Sequence, residues 1–295
     1  MQPENVMSSG NSLKIENLRR IIMNFQYREN IINYEVEGHG KPVIILHGLG
    51  CDLNMMKACL EPVFIKKSDY KRIYIDLPGM GKSVGAIEEA SSDAILNILL
   101  HFIESNVNEN YLLVGESYGG YLARGILSQQ IRKIDGLMLL CPVVIPESEK
   151  RILPDDKLEI KDSAFLQMLN DEEKSAFCEY AVIANEDTYK RYISEIVPGI
   201  KMSDEKFLSE LERNYAFTFD VDQIMKATVF DKPTLFLCGR QDNCVGYKDL
   251  QKLLDNYSRA TFAVLDSAGH NLQIEQSLLF QELVKNWLER IEKPI

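Results

Sequence analysis

Short, unbroken apolar runs alternate along this chain with longer stretches whose apolar residues recur at helical spacing. The run Pro42-Val43-Ile44-Ile45-Leu46 carries no polar position, as expected of a strand covered on both faces. Comparable runs recur at 72–75, 111–114, 137–141, 235–238 and 262–265. Between them the period changes. Ile95, Ile98, Leu99 and Phe102 lie on one face of a helix predicted over 94–103, and helical spacing also marks the segment from Tyr121 onward, 247–257 and 276–291. Ahead of the first buried run, 23–27 and 31–37 alternate in the two-residue period of half-exposed strands, with Glu29-Asn30 as the turn of an antiparallel hairpin. Eight strands follow, most of them parallel and wrapped by helices: an α/β fold with a mostly parallel eight-stranded sheet.

One region breaks the alternation. From 146 to 228 the chain turns charged and helix-like for some eighty residues, with no convincing strand. It departs from the carboxyl end of the sixth strand, and in open α/β sheets ligands bind at that edge. The segment is therefore predicted to be a helical cap, or lid, over the site. The resulting organisation is a loose leader at 1–22, an α/β core at 23–145 and 229–295, and a cap at 146–228. No internal repeat or low-complexity tract is present.

Charge and cysteine usage narrow the partners. A formal net charge of -11 and a pI near 5.0 would set the chain against phosphate backbones and anionic lipid, so neither nucleic acid nor a membrane is expected as a partner. No apolar run approaches a membrane span, and the N-terminus lacks the apolar core of a secretion signal. The six cysteines (51, 59, 141, 178, 238, 244) form no CxxC pair and read as reduced thiols. A cytoplasmic protein with a small-molecule substrate is expected.

Candidate chemistry concentrates at Val114-Gly115-Glu116-Ser117-Tyr118-Gly119-Gly120, between a buried strand and a helix. Glycines two residues either side of Ser117 permit a sharp strand-to-helix turn, because a Cβ at either place would crowd a neighbouring element. Such a turn holds the hydroxyl out at the top of the sheet. A serine needs a base to become a nucleophile, and the chain has four histidines. His39 lies in a loop before the first parallel strand, His47 in the loop that ends it, and His101 on an amphipathic helix. His270, just after the last strand, shares the sheet edge with Ser117. Asp242 follows the preceding strand and can orient the imidazole. Three such groups at three strand ends, in the order Ser117, Asp242, His270, point to acyl transfer through a serine nucleophile.

These pieces, with His47-Gly48-Leu49-Gly50, Asp76-Leu77-Pro78-Gly79-Met80-Gly81-Lys82-Ser83 and Gly239-Arg240-Gln241-Asp242, make the chain from about residue 23 onward resemble the α/β-hydrolase fold family. The resemblance is to its lidded branch of small esterases, proline iminopeptidase-like peptidases and C-C bond hydrolases. It implies that the backbone N–H groups of Leu49 and Tyr118 bind the oxyanion, and it implies no metal or organic cofactor. Ser rather than Asp at 117 sets the chain apart from the epoxide hydrolase and haloalkane dehalogenase relatives. Gly81-Lys82-Ser83 imitates the end of a P-loop, but Asp76 stands where that motif needs glycine.

A carboxylesterase of small esters leads the functional readings. An aminopeptidase of the proline iminopeptidase type comes next, favoured by an excess of about eight negative charges in the cap that could attract an amine. A C-C hydrolase, an acyltransferase and a non-catalytic ligand-binding member of the fold stay open. Among the cap aromatics available to a pocket (Phe165, Phe177, Tyr180, Tyr189, Tyr192, Tyr215, Phe217, Phe219), Phe217 and Phe219, close to the return to the core, are the candidate lining residues.

Overall fold

A computed structural model describes residues 21–293 except 66, 68, 156 and 157, so the leader expected at 1–22 lies almost wholly outside the described residues. Strands β1 (Ile21–Tyr27), β2 (Asn30–Gly38), β3 (Lys41–Leu46), β4 (Tyr70–Ile75), β5 (Tyr111–Glu116) and β6 (Ile134–Leu140) precede the long insertion, which itself holds the two-residue strands β7 (Ile160–Lys161) and β8 (Ile183–Ala184). Strands β9 (Thr234–Gly239) and β10 (Ala260–Leu265) follow it. The eight long strands form one sheet in the order β1-β2-β4-β3-β5-β6-β9-β10. Strand β2 pairs antiparallel with β1 and β4, and every pair from β4 to β10 is parallel. All six residues of β5 and of β9 are buried, as the unbroken apolar runs require of strands covered on both faces.

Helices α1 (Leu53–Phe64), α2 (Ser92–Asn106), α3 (Ser117–Gln130) and, at the C-terminal end, α12 (Ser277–Glu292) cover the sheet. Asp52 starts α1 by accepting from the Asn54 N–H, and Ser91 starts α2 by accepting from Ala94. Trp287 on α12 is fully buried, and its indole N–H donates to the Pro233 carbonyl 3.0 Å away.

Two local expectations change. The hairpin turn falls on Arg28-Glu29, one residue earlier than predicted; Tyr27 pairs with Asn30, and Arg28 takes φ +53° to close the two-residue loop. The predicted helix over 247–257 breaks into α10 (Lys248–Gln251) and a 3-10 turn at Leu254–Asn256. Asp249 in α10 is buried and accepts from the Ile152 N–H at 2.8 Å, which ties the start of the insertion to the core.

The insertion carries α4 (Ser163–Leu166), α5 (Asp171–Cys178), α6 (Glu186–Glu195), α7 (Val197–Met202), α8 (Glu205–Arg213) and α9 (Val221–Lys226). Asparagine capping boxes start α5 and α6, and aspartates cap α4, α8 and α9. The parallel pair β7 and β8 is too short to leave a period in the sequence. A second apolar cluster joins Phe165, Phe177, Tyr192 and Ile196 of the insertion to Cys51, Met55 and Ile274 of the sheet domain. Arg124 on α3 pairs with Asp222 on α9 and donates to the Val144 carbonyl at 3.1 Å, pinning the far end.

Candidate active site

Ser117 is the first residue of α3 and has φ +49°, left-handed for a residue with a side chain. The turn is possible because its flanks are glycine. A Cβ at Gly115 would lie 2.4 Å from the Gly119 carbonyl oxygen, and one at Gly119 would lie 2.5 Å from the His47 oxygen and 2.6 Å from that of Leu46. Backbone atoms on both sides leave no room to yield.

The parallel sheet brings the ends of β5, β9 and β10 to one edge. Ser117 Oγ lies 2.9 Å from His270 Nε2, and His270 Nδ1 lies 3.0 Å from Asp242 Oδ2. The other Asp242 oxygen accepts the N–H groups of Cys244 (2.9 Å) and Val245 (3.0 Å), so the carboxylate is fully buried yet fully bonded. Burial works against its charge, but the His270 ring and these two amides hold the carboxyl below its ordinary value. Burial also works against an imidazolium at His270. The Asp242 charge, with Cys244 against the ring, outweighs that and holds His270 well above the usual histidine value.

The remaining histidines do other things. His47 is buried, with Nδ1 2.7 Å from the Gly48 carbonyl and Nε2 accepting the Leu77 N–H at 3.0 Å. That pattern places its proton on Nδ1, and burial lowers its basicity, so it serves as a neutral pin between two loops. His39 is exposed, and His101 packs against Tyr27 with ring centroids 4.4 Å apart. Asp76 likewise organises loops: its carboxylate accepts from Leu53, Lys82 and the Asn33 amide at 2.7–2.9 Å. The Gly81-Lys82-Ser83 segment is thereby folded onto Asp76 itself.

Tyr118 follows Ser117 directly in the chain, and Leu49 comes next to it in space by lining the same cavity. Leu49, Ser117 and His270 open into a cavity of about 710 Å³. Its lining includes the buried apolar residues Met55 and Ile196 and the exposed Ile200, together with the charged Glu147, Glu149, Arg151, Glu212 and Arg213. Tyr180, Tyr192 and Tyr215 supply the aromatic wall.

Phe217 and Phe219 fall elsewhere, which corrects the expectation that they line the pocket. Phe217 stacks on Tyr121 of α3 at 4.3 Å and on Phe219 at 4.9 Å, and the cavity wall is formed by Tyr215 and Ala216 instead. Tyr215 is turned inward because its carbonyl accepts from Ser92 Oγ at 2.5 Å while its ring meets Tyr118 at 4.9 Å. Phe165, Phe177 and Tyr189 pack on one another inside the insertion.

Two carboxyls escape sequence reasoning. Glu275 on α11 (Leu272–Glu275) receives the Val182 and Ile183 N–H groups on one oxygen (2.5 and 3.0 Å) and Gly269 on the other (2.6 Å), stitching the insertion to the His270 loop. Glu116 is buried in the cavity wall with Oε1 3.5 Å from His270 Nε2. Its only sequence signal was its place beside Ser117. As for metal ligands, Cys141, Asp242 and His270 bring donor atoms within 4.8 Å of one another. Asp242 and His270 are already committed to each other, and burial keeps the Cys141 proton on a thiol that faces the Gly269 carbonyl.

A parallel sheet with a serine elbow and a facing histidine defines the α/β hydrolase class. The sequence pattern of the α/β hydrolase fold matches residues 41–277, and the chain belongs to that family. A solved α/β superfamily hydrolase from Oenococcus oeni is 31% identical and superposes with a TM-score of 0.84 over 92% of this chain and 100% of its own. A Mycoplasma genitalium protein that carries an esterase/lipase name is 25% identical over 260 residues, covering 85% of this chain and 90% of the relative. The pimeloyl-[acyl-carrier protein] methyl ester esterase of Shewanella oneidensis is 23% identical over 269 residues, 88% of this chain and 96% of the relative. These likenesses support a hydrolase. Among the described residues no helix is long and apolar enough to cross a membrane.

Proposed function

We propose that this chain is a carboxylesterase that works through an acyl-enzyme, with Ser117 as nucleophile, His270 as general base and Asp242 as its orienting acid. The reading is carried by the unbroken relay from Asp242 through His270 to Ser117 at 3.0 and 2.9 Å, opening into a cavity whose lining includes the buried Met55 and Ile196. Ser117 attacks the ester carbonyl as its proton passes to His270 Nε2. The Leu49 and Tyr118 N–H groups receive the developing oxyanion, and Nδ1–H stays bonded to Asp242. Water activated by the same imidazole then releases the acid.

In this reading the insertion at 146–228 is a cap, and the buried apolar residues Met55 and Ile196 of the cavity lining receive a small acyl group. The esterase names among the relatives agree with an ester substrate. A peptidase reading needs free carboxylates aimed at an amine. The acids of the lining are instead interspersed with Arg151 and Arg213, and Glu147 is paired with Lys150 at 2.9 Å.

The test is a panel of aryl esters of graded acyl length beside aminoacyl arylamides, with Ser117→Ala as control. Turnover of the short esters and loss of fluorophosphonate labelling in Ser117→Ala are expected, with residual rate of up to roughly 10³-fold over water from the remaining site. Wild-type labelling of the variant, or arylamides outpacing esters, would overturn the reading.

A further inference from the structure

We infer that Glu116 is a positioning residue that shares one proton with His270 and so sets the pH range in which the imidazole can act as a base. The inference rests on the esterase reading for its kinetics but not for its geometry. Glu116 Oε1 lies 3.5 Å from His270 Nε2, the nitrogen that faces Ser117 Oγ, so the ring stands between two carboxyls, Asp242 at Nδ1 and Glu116 beside Nε2. The Glu116 side chain is sealed from solvent, and Oε2 is buried without a hydrogen-bond partner. A Cβ at Gly48 would come within 2.3 Å of Oε2, so only glycine at that position leaves room for the carboxyl.

The neighbours leave His270 as the natural recipient of its charge. Cys51, Cys59, Cys141 and Tyr215 face the carboxyl from surrounding elements, and burial drives the ionisation of all four upward, so they stay neutral. Asp242 is the one facing anion among these, and Cys244 and Tyr180 also interact with the His270 ring. Burial pushes the Glu116 carboxyl up to about 7, with His270 opposing, the Asp242 charge adding and the Gly48 N–H opposing. Two ionised carboxylates around a neutral ring would bury two negative charges with no cation between them. The site escapes this by keeping a proton on either Glu116 or His270 through the neutral range. With the proton on Nε2 and Glu116 ionised, the base is blocked. In the transition state the Ser117 proton arrives on Nε2, and an ionised Glu116 then stabilises the imidazolium. The same contact therefore slows the enzyme in acid and speeds it in alkali.

Glu116→Gln keeps the shape and removes the charge. The first readout is the ¹⁵N NMR titration of the His270 ring without substrate, in the wild type, Glu116→Gln and Glu116→Asp. The Gln variant should bring the ring's midpoint down by about 1–3 pH units, the range for a charge at this separation, and Asp should return it toward the wild-type position. The second is kcat/KM against pH on an aryl ester. The wild-type and Gln curves should cross, Gln being faster below the wild-type midpoint and roughly tenfold slower on the alkaline plateau. An unmoved His270 midpoint, or parallel curves that never cross, overturns the inference. If Glu116→Gln does not fold, the wild-type titration decides: two linked steps support the shared proton, and a single step at any pH refutes it. The ring titration stands even if the esterase reading fails, so the two failures are distinguishable.

Discussion

Replacing Asp242 by Asn tests the relay most sharply, because the structure dictates how the amide must sit. One carboxylate oxygen accepts from both the Cys244 and Val245 N–H groups at 2.9 and 3.0 Å, and only the amide oxygen of Asn can take that place. The amide NH₂ is thereby turned toward His270 Nδ1, where the other oxygen stood at 3.0 Å. Two donors cannot face each other, so Nδ1 gives up its proton and the ring holds it on Nε2. That nitrogen lies 2.9 Å from Ser117 Oγ and can then no longer accept the hydroxyl proton. The expected loss in kcat is on the order of 10⁴, about 5.4 kcal/mol of transition-state stabilisation. Removing the charge that holds His270 high also moves the acidic limb of the pH profile to lower pH, since less alkali is needed to free the ring. The assay is steady-state hydrolysis of an aryl ester across pH, beside ¹⁵N shifts that report which ring nitrogen carries the proton. Asp266→Asn is the control: Asp266 is exposed and accepts from Gln241 Nε2 at 2.9 Å, away from the ring. An Asp242→Asn enzyme within tenfold of wild type, or Asp266→Asn equally damaged, would refute the assignment.

Other outcomes follow from the packing. Phe217→Ala should leave acyl-length preference unchanged and destabilise the fold by about 2 kcal/mol, because the ring stacks on Tyr121 and abuts Gly125 away from the cavity. Met55→Ala and Ile196→Ala, in the cavity wall, should change that preference; melting temperature and selectivity across the ester panel separate the two effects. Glu275→Gln leaves one acceptor for amides now held by two oxygens, so it should cost about 1–3 kcal/mol and lower kcat/KM through the displaced His270 loop, and unchanged melting and kinetics would show that the stitch is idle.

Patterning alone determined the sheet and the edge at which its chemistry sits. The apolar run 42–46 and its counterparts could be read because a strand buried on both faces tolerates no polar position, and β3, β5, β6 and β9 stand where those runs lie, whereas the edge strand β10 proves only half-buried. Ser117, Asp242 and His270 could be placed together because parallel strands all end at one edge, and glycine at 115 and 119 marked the turn. The insertion shows where that legibility stops. The sequence says only that Tyr215 and Phe217 are aromatic and two residues apart, but which ring faces the cavity depends on Ser92 and Tyr121, from helices far away in the chain. Strands β7 and β8 are held by their mutual pairing and by Glu275, so nothing local announces them. Glu116 is the clearest case. A glutamate beside a serine reads as a solvated polar residue, and it becomes a sealed carboxyl against an imidazole only when the Gly48 and His270 loops close over it. The sequence supplies the groups and the edge they share, whereas burial and distance, which set the proton affinity of each group, exist only once the loops pack.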